Sequence, residues 1–171
     1  MSFNQKIKNK IFRNKELLLQ VSDWKHAGKR IVFTNGCFDI IHAGHVDYLS
    51  KAADLGDKLV IGVNTDSSVN RIKGSHRPIQ NEYSRLLVLA SMTFVDAVIL
   101  FDEDTPEILI NSIIPDVLVK GSDYKAEDIV GYQIVSSNGG KVETIDFLEG
   151  YSTTSIEQKI ISEHKSALDH S

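Results

Sequence analysis

A chain of 171 residues with Lys+Arg 19 against Asp+Glu 23 and a formal net charge of -4 has the size of one domain, large enough to bury a core without disulfide or metal staples. Its charge balance gives no long-range attraction to nucleic acid or to an anionic membrane, so neither is an expected partner and any phosphate site must be built locally. The single cysteine, Cys37, cannot close an internal disulfide, which suits a reducing compartment.

From the N-terminus, residues 4–26 read as a helical lead-in, with Leu17, Leu18, Val21 and Trp24 able to form one apolar stripe. Lys6, Lys8, Lys10, Arg13 and Lys15 precede no apolar h-region, and the longest apolar stretch, 86–101, is broken by Ser91, Thr93 and Asp96. A cytoplasmic protein is therefore expected. Residues 1–28 are set apart as the lead-in and 29–171 as the domain proper. From there strand signals at 31–34, 58–63, 95–101, 117–120 and 142–146 alternate with helix signals at 45–55, 82–93, 106–114, 126–137 and 153–164. The alternation predicts an α/β fold, a Rossmann-like five-stranded parallel sheet with helices on both faces. Ligands of such sheets bind outside the carboxyl ends of the strands.

The first strand runs directly into Thr34-Asn35-Gly36-Cys37-Phe38-Asp39 and then His42-Ala43-Gly44-His45, at a strand-to-helix turn. Free backbone N–H groups and the positive end of a helix dipole favour an anion there. Gly36 and Gly44 let the main chain approach a ligand, and His42 and His45 can donate ring N–H bonds to phosphate oxygens. Asp39 either orients this turn or only caps it. The polar stretch 64–83 reads as a loop of lid length. In it, Asp66 could accept from sugar hydroxyls or cap a turn, and Lys73 and Arg77 could close on a triphosphate or simply be solvated. Lys120-Gly121-Ser122-Asp123-Tyr124 is either an ordinary turn or a contact to ribose or base. Ser152-Thr153-Thr154 forms an N-cap cluster that could also donate to a phosphate. Metal binding by protein ligands is not indicated, because the histidine pair lacks a third ligand at zinc spacing. Cys37 reads as a small packed residue.

The string 33–39 followed by His42-Ala43-Gly44-His45 resembles the HxGH nucleotidyltransferases, a superfamily including cytidylyltransferases, pantetheine-phosphate adenylyltransferase and, more distantly, class I aminoacyl-tRNA synthetases. Within it the chain is most similar to the adenylyltransferase domain of ADP-heptose synthase. That likeness is carried by Gly62-Val63-Asn64-Thr65-Asp66-Ser67-Ser68-Val69, Lys73-Gly74-Ser75-His76-Arg77-Pro78-Ile79, Phe101-Asp102-Glu103-Asp104-Thr105-Pro106, 115–124 and Ser152-Thr153-Thr154. It implies transfer of a nucleotidyl group from ATP to D-glycero-β-D-manno-heptose 1-phosphate. His42, His45 and Lys73 would be catalytic, and Thr34, Asn35, Gly36, Cys37, Phe38, Gly44, Arg85, Lys120, Gly121, Asp123, Tyr124, Ser152, Thr153 and Thr154 nucleotide-binding. Asp39, Asp66 and Arg77 would meet the acceptor. Magnesium would be held mainly by triphosphate oxygens. The length leaves no room for a fused kinase half, so a stand-alone form is expected.

Glycerol-phosphate cytidylyltransferases carry an arginine shortly before the Ser-Thr-Thr element, and 146–151 here has no basic residue. A cytidylyltransferase remains the rival expectation, and a non-catalytic nucleotide-binding module on the same fold the rival from another class. The resemblance also implies a homodimer, since relatives in that family are often dimers, and Leu86, Leu87, Leu89 and Met92, crowding more than one side of the 82–93 helix, offer a contact surface. The lead-in helix could instead cover that surface.

Overall fold

A computed structural model describes residues 1–123 and 125–169. The elements in chain order are α1 (Phe3–Lys8), β1 (Ile11–Phe12), α2 (Asn14–His26), β2 (Ile31–Gly36), α3 (Ala43–Ala53), β3 (Lys58–Asn64), α4 (Asp66–Lys73), α5 (Glu82–Ser91), β4 (Ala97–Phe101), α6 (Glu107–Ile113), β5 (Val117–Gly121), α7 (Tyr132–Ser137), β6 (Lys141–Ile145) and α8 (Thr153–Asp169). A single 3-10 turn, Ala126–Asp128, precedes α7. All strand pairs are parallel, in the order β1-β4-β3-β2-β5-β6.

The sheet has six strands rather than the expected five. The addition lies inside the lead-in, where Ile11 pairs with Val98 and Phe12 with Ile99. A two-residue strand is too short to show period-2 alternation, and only the exposed edge of β4 makes it one. The lead-in thus adds a strand and two helices to the same layers. The 126–137 helix is also shorter than expected, broken by Ile129, Val130 and Gly131 before α7 begins.

Two apolar layers flank the sheet. One joins Leu49 of α3 and Leu86 and Leu89 of α5 to Val32, Ile61 and Val98. The other joins Leu17 and Val21 of α2 and Leu109, Ile110 and Ile113 of α6 to Phe33, Val60 and Leu118. The lead-in splits between them: Ile7 of α1 packs on the layer under α5, whereas Leu17, Leu18 and Trp24 lie on the opposite one. The apolar side of α5 is therefore covered from within the chain by α1, not by the 17–24 stripe.

At the amino edge of the sheet, carboxylates accept the first strand N–H groups. Asp116 takes the Ile31 N–H at 2.7 Å and Asp96 takes that of Leu59 at 2.9 Å, so this edge is internally satisfied. At the carboxyl edge the chain leaves β2 toward β3 and leaves β5 toward β6, in opposite directions, which opens a crevice between β2 and β5. Sheets of this kind bind ligands at such a switch point.

Candidate active site

The turn after β2 holds Phe38 at φ 48, a left-handed conformation that costs a bulky residue on the order of 1–3 kcal/mol. That turn delivers His42 to the N-cap of α3 and His45 to its first turn. The imidazoles lie against each other with centroids 3.9 Å apart, and Phe38 meets His45 edge-on at 5.5 Å. Gly44 is buried between the His42 ring and Tyr151: a Cβ there would stand 3.0 Å from the one and 3.2 Å from the other.

Both His42 and His45 bury Nδ1 with no hydrogen-bond partner among the described residues, and so does Oδ1 of Asn35. Buried polar atoms without partners are costly and cluster where a ligand supplies the bond. Burial lowers the His42 pKa, and burial, with smaller contributions from His42 and Lys73, lowers that of His45 to about 4. Both rings are therefore neutral at pH 7 in the unliganded protein.

Three recesses follow one another along the carboxyl edge. A cleft of about 320 Å³ is walled by His45, Lys73, Lys120, Asp123 and Thr153. A groove of about 270 Å³ continues from it between His42, Tyr151 and Ser152. A cavity of about 300 Å³ lies on the other side, between Asn64, Asp104, Thr105 and Asp128. Cleft and cavity share one wall, made of Asn35, Gly36, Cys37 and Lys120. Burial of the Lys120 ammonium lowers its pKa to about 8, and burial likewise raises the pKa of the Cys37 thiol, which disfavours a nucleophilic thiolate.

Residues 33–159 match the model of the family described as Cytidylyltransferase-like. The chain belongs to that family. As a member it carries a nucleotidyltransferase domain. It is 54% identical to the bifunctional protein HldE of Methylobacillus flagellatus over 90% of this chain and 32% of that protein. To the HldE of Campylobacter jejuni strain RM1221 it is 52% identical, over 94% of this chain and 32% of the other. The chain thus spans about a third of the length of these relatives. The crystal structure of the lipopolysaccharide core biosynthesis protein from Thermoplasma volcanium superposes with a TM-score of 0.58 at 31% identity, covering 73% of this chain and 100% of that one.

Several expected site residues are spent on holding the family's site together. Thr34 is fully buried, its hydroxyl 2.8 Å from that of Tyr48, so it faces the core rather than the cleft. Arg85, expected at a phosphate, is 1% exposed. Its guanidinium donates to the carbonyls of Gln80, Cys37 and Asn64 at 3.0, 2.6 and 2.7 Å and to Asp66 at 2.8 Å, which leaves it no route to a ligand. Asp66 is correspondingly engaged by Arg85 and lines neither cleft nor cavity.

Asp39 and Arg77, expected at the acceptor, bond each other at 2.8 Å with side chains 3% and 10% exposed. Asp39 also accepts the N–H groups of Ile79 and Gln80 at 2.8 and 2.9 Å. Burial acts to raise its pKa, but these N–H bonds and Arg77 outweigh it and hold the carboxyl below its ordinary value.

The stretch 64–83 is not a continuous loop. Thr65 caps α4 by accepting the Ser68 N–H at 3.1 Å, and the helix stops at Gly74, φ 96. Lys73 is the last residue of α4, where the helix dipole favours a cation. Ser152 caps α8, accepting the Ser155 N–H at 3.0 Å; Thr153 reaches the cleft, whereas Thr154 is exposed and does not line it. Tyr124 lies outside the described residues. The sequence reading missed the aromatic wall of the groove, Phe147 and Tyr151, and Glu157, which bonds Arg77. None of these carries a local motif. No described helix is long and apolar enough to cross a membrane.

Proposed function

We propose that this domain joins ATP and D-glycero-β-D-manno-heptose 1-phosphate to give ADP-heptose and pyrophosphate, a step toward a lipopolysaccharide core precursor. The observation that carries the reading is the wall shared by cleft and cavity, Asn35, Gly36, Cys37 and Lys120. It lets two anions approach each other beside one cation. The nucleoside lies in the groove against Tyr151, the triphosphate in the cleft, and the sugar phosphate in the cavity, where Asn64, Thr105 and Asp128 offer hydrogen bonds to hydroxyls. An acceptor phosphate oxygen attacks the α-phosphorus, the bond to the bridging β-oxygen breaks, and pyrophosphate leaves with that electron pair.

The attacking phosphate is already ionised, so no general base is needed. Catalysis is then positioning and charge stabilisation. His42 and His45 donate to the triphosphate, Lys73 meets the departing pyrophosphate, and Lys120 stands between the reacting phosphates. Magnesium, when bound, offsets triphosphate charge. Among the described residues no three His, Cys, Asp or Glu side chains gather to hold an ion. The fit is thus to a metal held by phosphate oxygens and water, with Asp123 on the cleft wall as the adjacent carboxylate.

The choice of ATP and heptose rests on 50–54% identity to HldE proteins and on the absence of a basic residue in 146–151. We further propose a cytoplasmic homodimer in which Tyr83 and Val88, exposed on α5, contribute to the contact. The deciding assay is pyrophosphate release from ATP or CTP against heptose 1-phosphate, other sugar 1-phosphates and glycerol 3-phosphate. Release from CTP with glycerol 3-phosphate alone makes the protein a cytidylyltransferase. No release from any pair makes it a binding module.

A further inference from the structure

Three chain segments bring phosphate-facing groups to the cleft, and one guanidinium ties all three together. Asp39 lies three residues before His42, Arg77 four after Lys73, and Glu157 four after Thr153. Arg77 bonds Asp39 at 2.8 Å on one side and Glu157 on the other. Four residues make about one helical turn, so Thr153 and Glu157 project from the same face of α8. In the remaining bonds Asp39 accepts from Ile79 and Gln80, the Arg77 carbonyl accepts from Asn70 at 3.3 Å, and the Arg77 N–H donates to the Gly74 carbonyl at 3.0 Å.

Of the three tied segments, α8 is held most lightly. The turn after β2 is buried through Phe38 and Gly44, and α4 is anchored by Val69 and Ser68, whereas the residues of α8 from Thr154 to Ser162 are exposed except for Ile156 and Glu157. A side chain that joins such a helix to the rigid part of the site sets where Thr153 and the helix N-terminus stand relative to the histidines.

We infer that Glu157 is a positioning residue for the nucleotide: through Arg77 it holds the N-terminus of α8 over the triphosphate cleft. This rests on the nucleotidyltransferase reading above. Arg77 suits the task because its planar fork reaches two carboxylates at once, which a lysine cannot do with the same geometry. Glu157 touches neither cleft nor cavity, so its effect on a ligand has to pass through the position of α8.

The test compares Glu157→Ala and Glu157→Gln with Glu163→Ala, an exposed glutamate farther along the same helix. Loss of one partner from this largely buried ion pair should raise the nucleotide KM about five- to tenfold. The acceptor KM and kcat should stay within about twofold and the melting temperature nearly unchanged, with the glutamine variant intermediate and the Glu163 variant like wild type. Hydrogen exchange of the 153–160 amides should quicken in Glu157→Ala without any ligand. An unchanged nucleotide KM overturns the inference, as does an equal rise in both KM values together with a lower melting temperature. If the wild type turns over no nucleotide, the functional reading fails, and the exchange rates alone decide whether Glu157 holds α8: faster exchange supports it and unchanged exchange overturns it.

Discussion

Lys120 should oppose stability in the same measure that it serves the substrate. Burial lowers its pKa from an ordinary 10.5 to about 8. The unfolded chain therefore binds the proton more tightly, and stability rises with pH between about 8 and 10.5 and is lowest below 8. At roughly 1.4 kcal/mol per pKa unit, keeping this ammonium charged at pH 7 costs the fold about 3 kcal/mol. Lys120→Met is similar in length and has no charge to desolvate, so it should stabilise the unliganded protein at pH 7. With about 2–4 °C per kcal/mol for a chain of this size, the melting temperature should rise by about 6–12 °C at the upper limit. Turnover should fall by about 10²–10³, the usual loss for a preorganised charge at the reacting group. Calorimetry at pH 7 and pH 10.5, paired with pyrophosphate release, reads both effects. The stability gain should shrink at the higher pH, where the wild-type lysine is neutral. A variant no more stable than wild type at pH 7, or one whose gain ignores pH, would refute the argument.

His42→Ala and His45→Ala should each lower kcat by about 10²–10³ while changing the ATP KM far less, because the charge they meet grows in the transition state; steady-state kinetics of the folded variants checks this. His45 sits at about 4 in the empty site, and a polyanion beside it raises that value, so nucleotide binding should take up protons between about pH 4 and the raised pKa. Titration calorimetry in two buffers of different ionisation enthalpy reads the uptake, and none at pH 5–6 would separate His45 from the phosphates. Arg85→Met should destabilise by about 3 kcal/mol, since it strands three carbonyls around a buried side chain, whereas Asp66, 39% exposed, can turn to water; denaturant titration measures it, and a loss below about 1 kcal/mol would show that those carbonyls find other partners.

Much of the architecture was legible because its causes are local. The apolar runs of β2 to β5 and the helices between them follow from residues adjacent in sequence, and so does the histidine-bearing turn after β2. The edge strand Ile11–Phe12 was not legible, since its two residues owe their conformation to the unpaired side of β4. Nor was α4, hidden in a polar stretch whose helical periodicity is carried by Val69 and Ile72 and whose ends are set by Thr65 and Gly74.

Within the site the division follows the same physics. The sequence alone determined which residue types could meet phosphate, because ring nitrogens, ammonium groups and close-approach glycines have that chemistry wherever they stand. Only the tertiary structure decided which of them are free to use it. Arg85 and Arg77 carry the right charge, yet partners 19 and 80 residues away in the chain hold them as internal fasteners. Lys120 carries the same charge as Lys73, and its burial on the wall between cleft and cavity sets it apart. A charge is fastened or available according to what folding brings beside it, and that neighbour is almost never next to it in sequence.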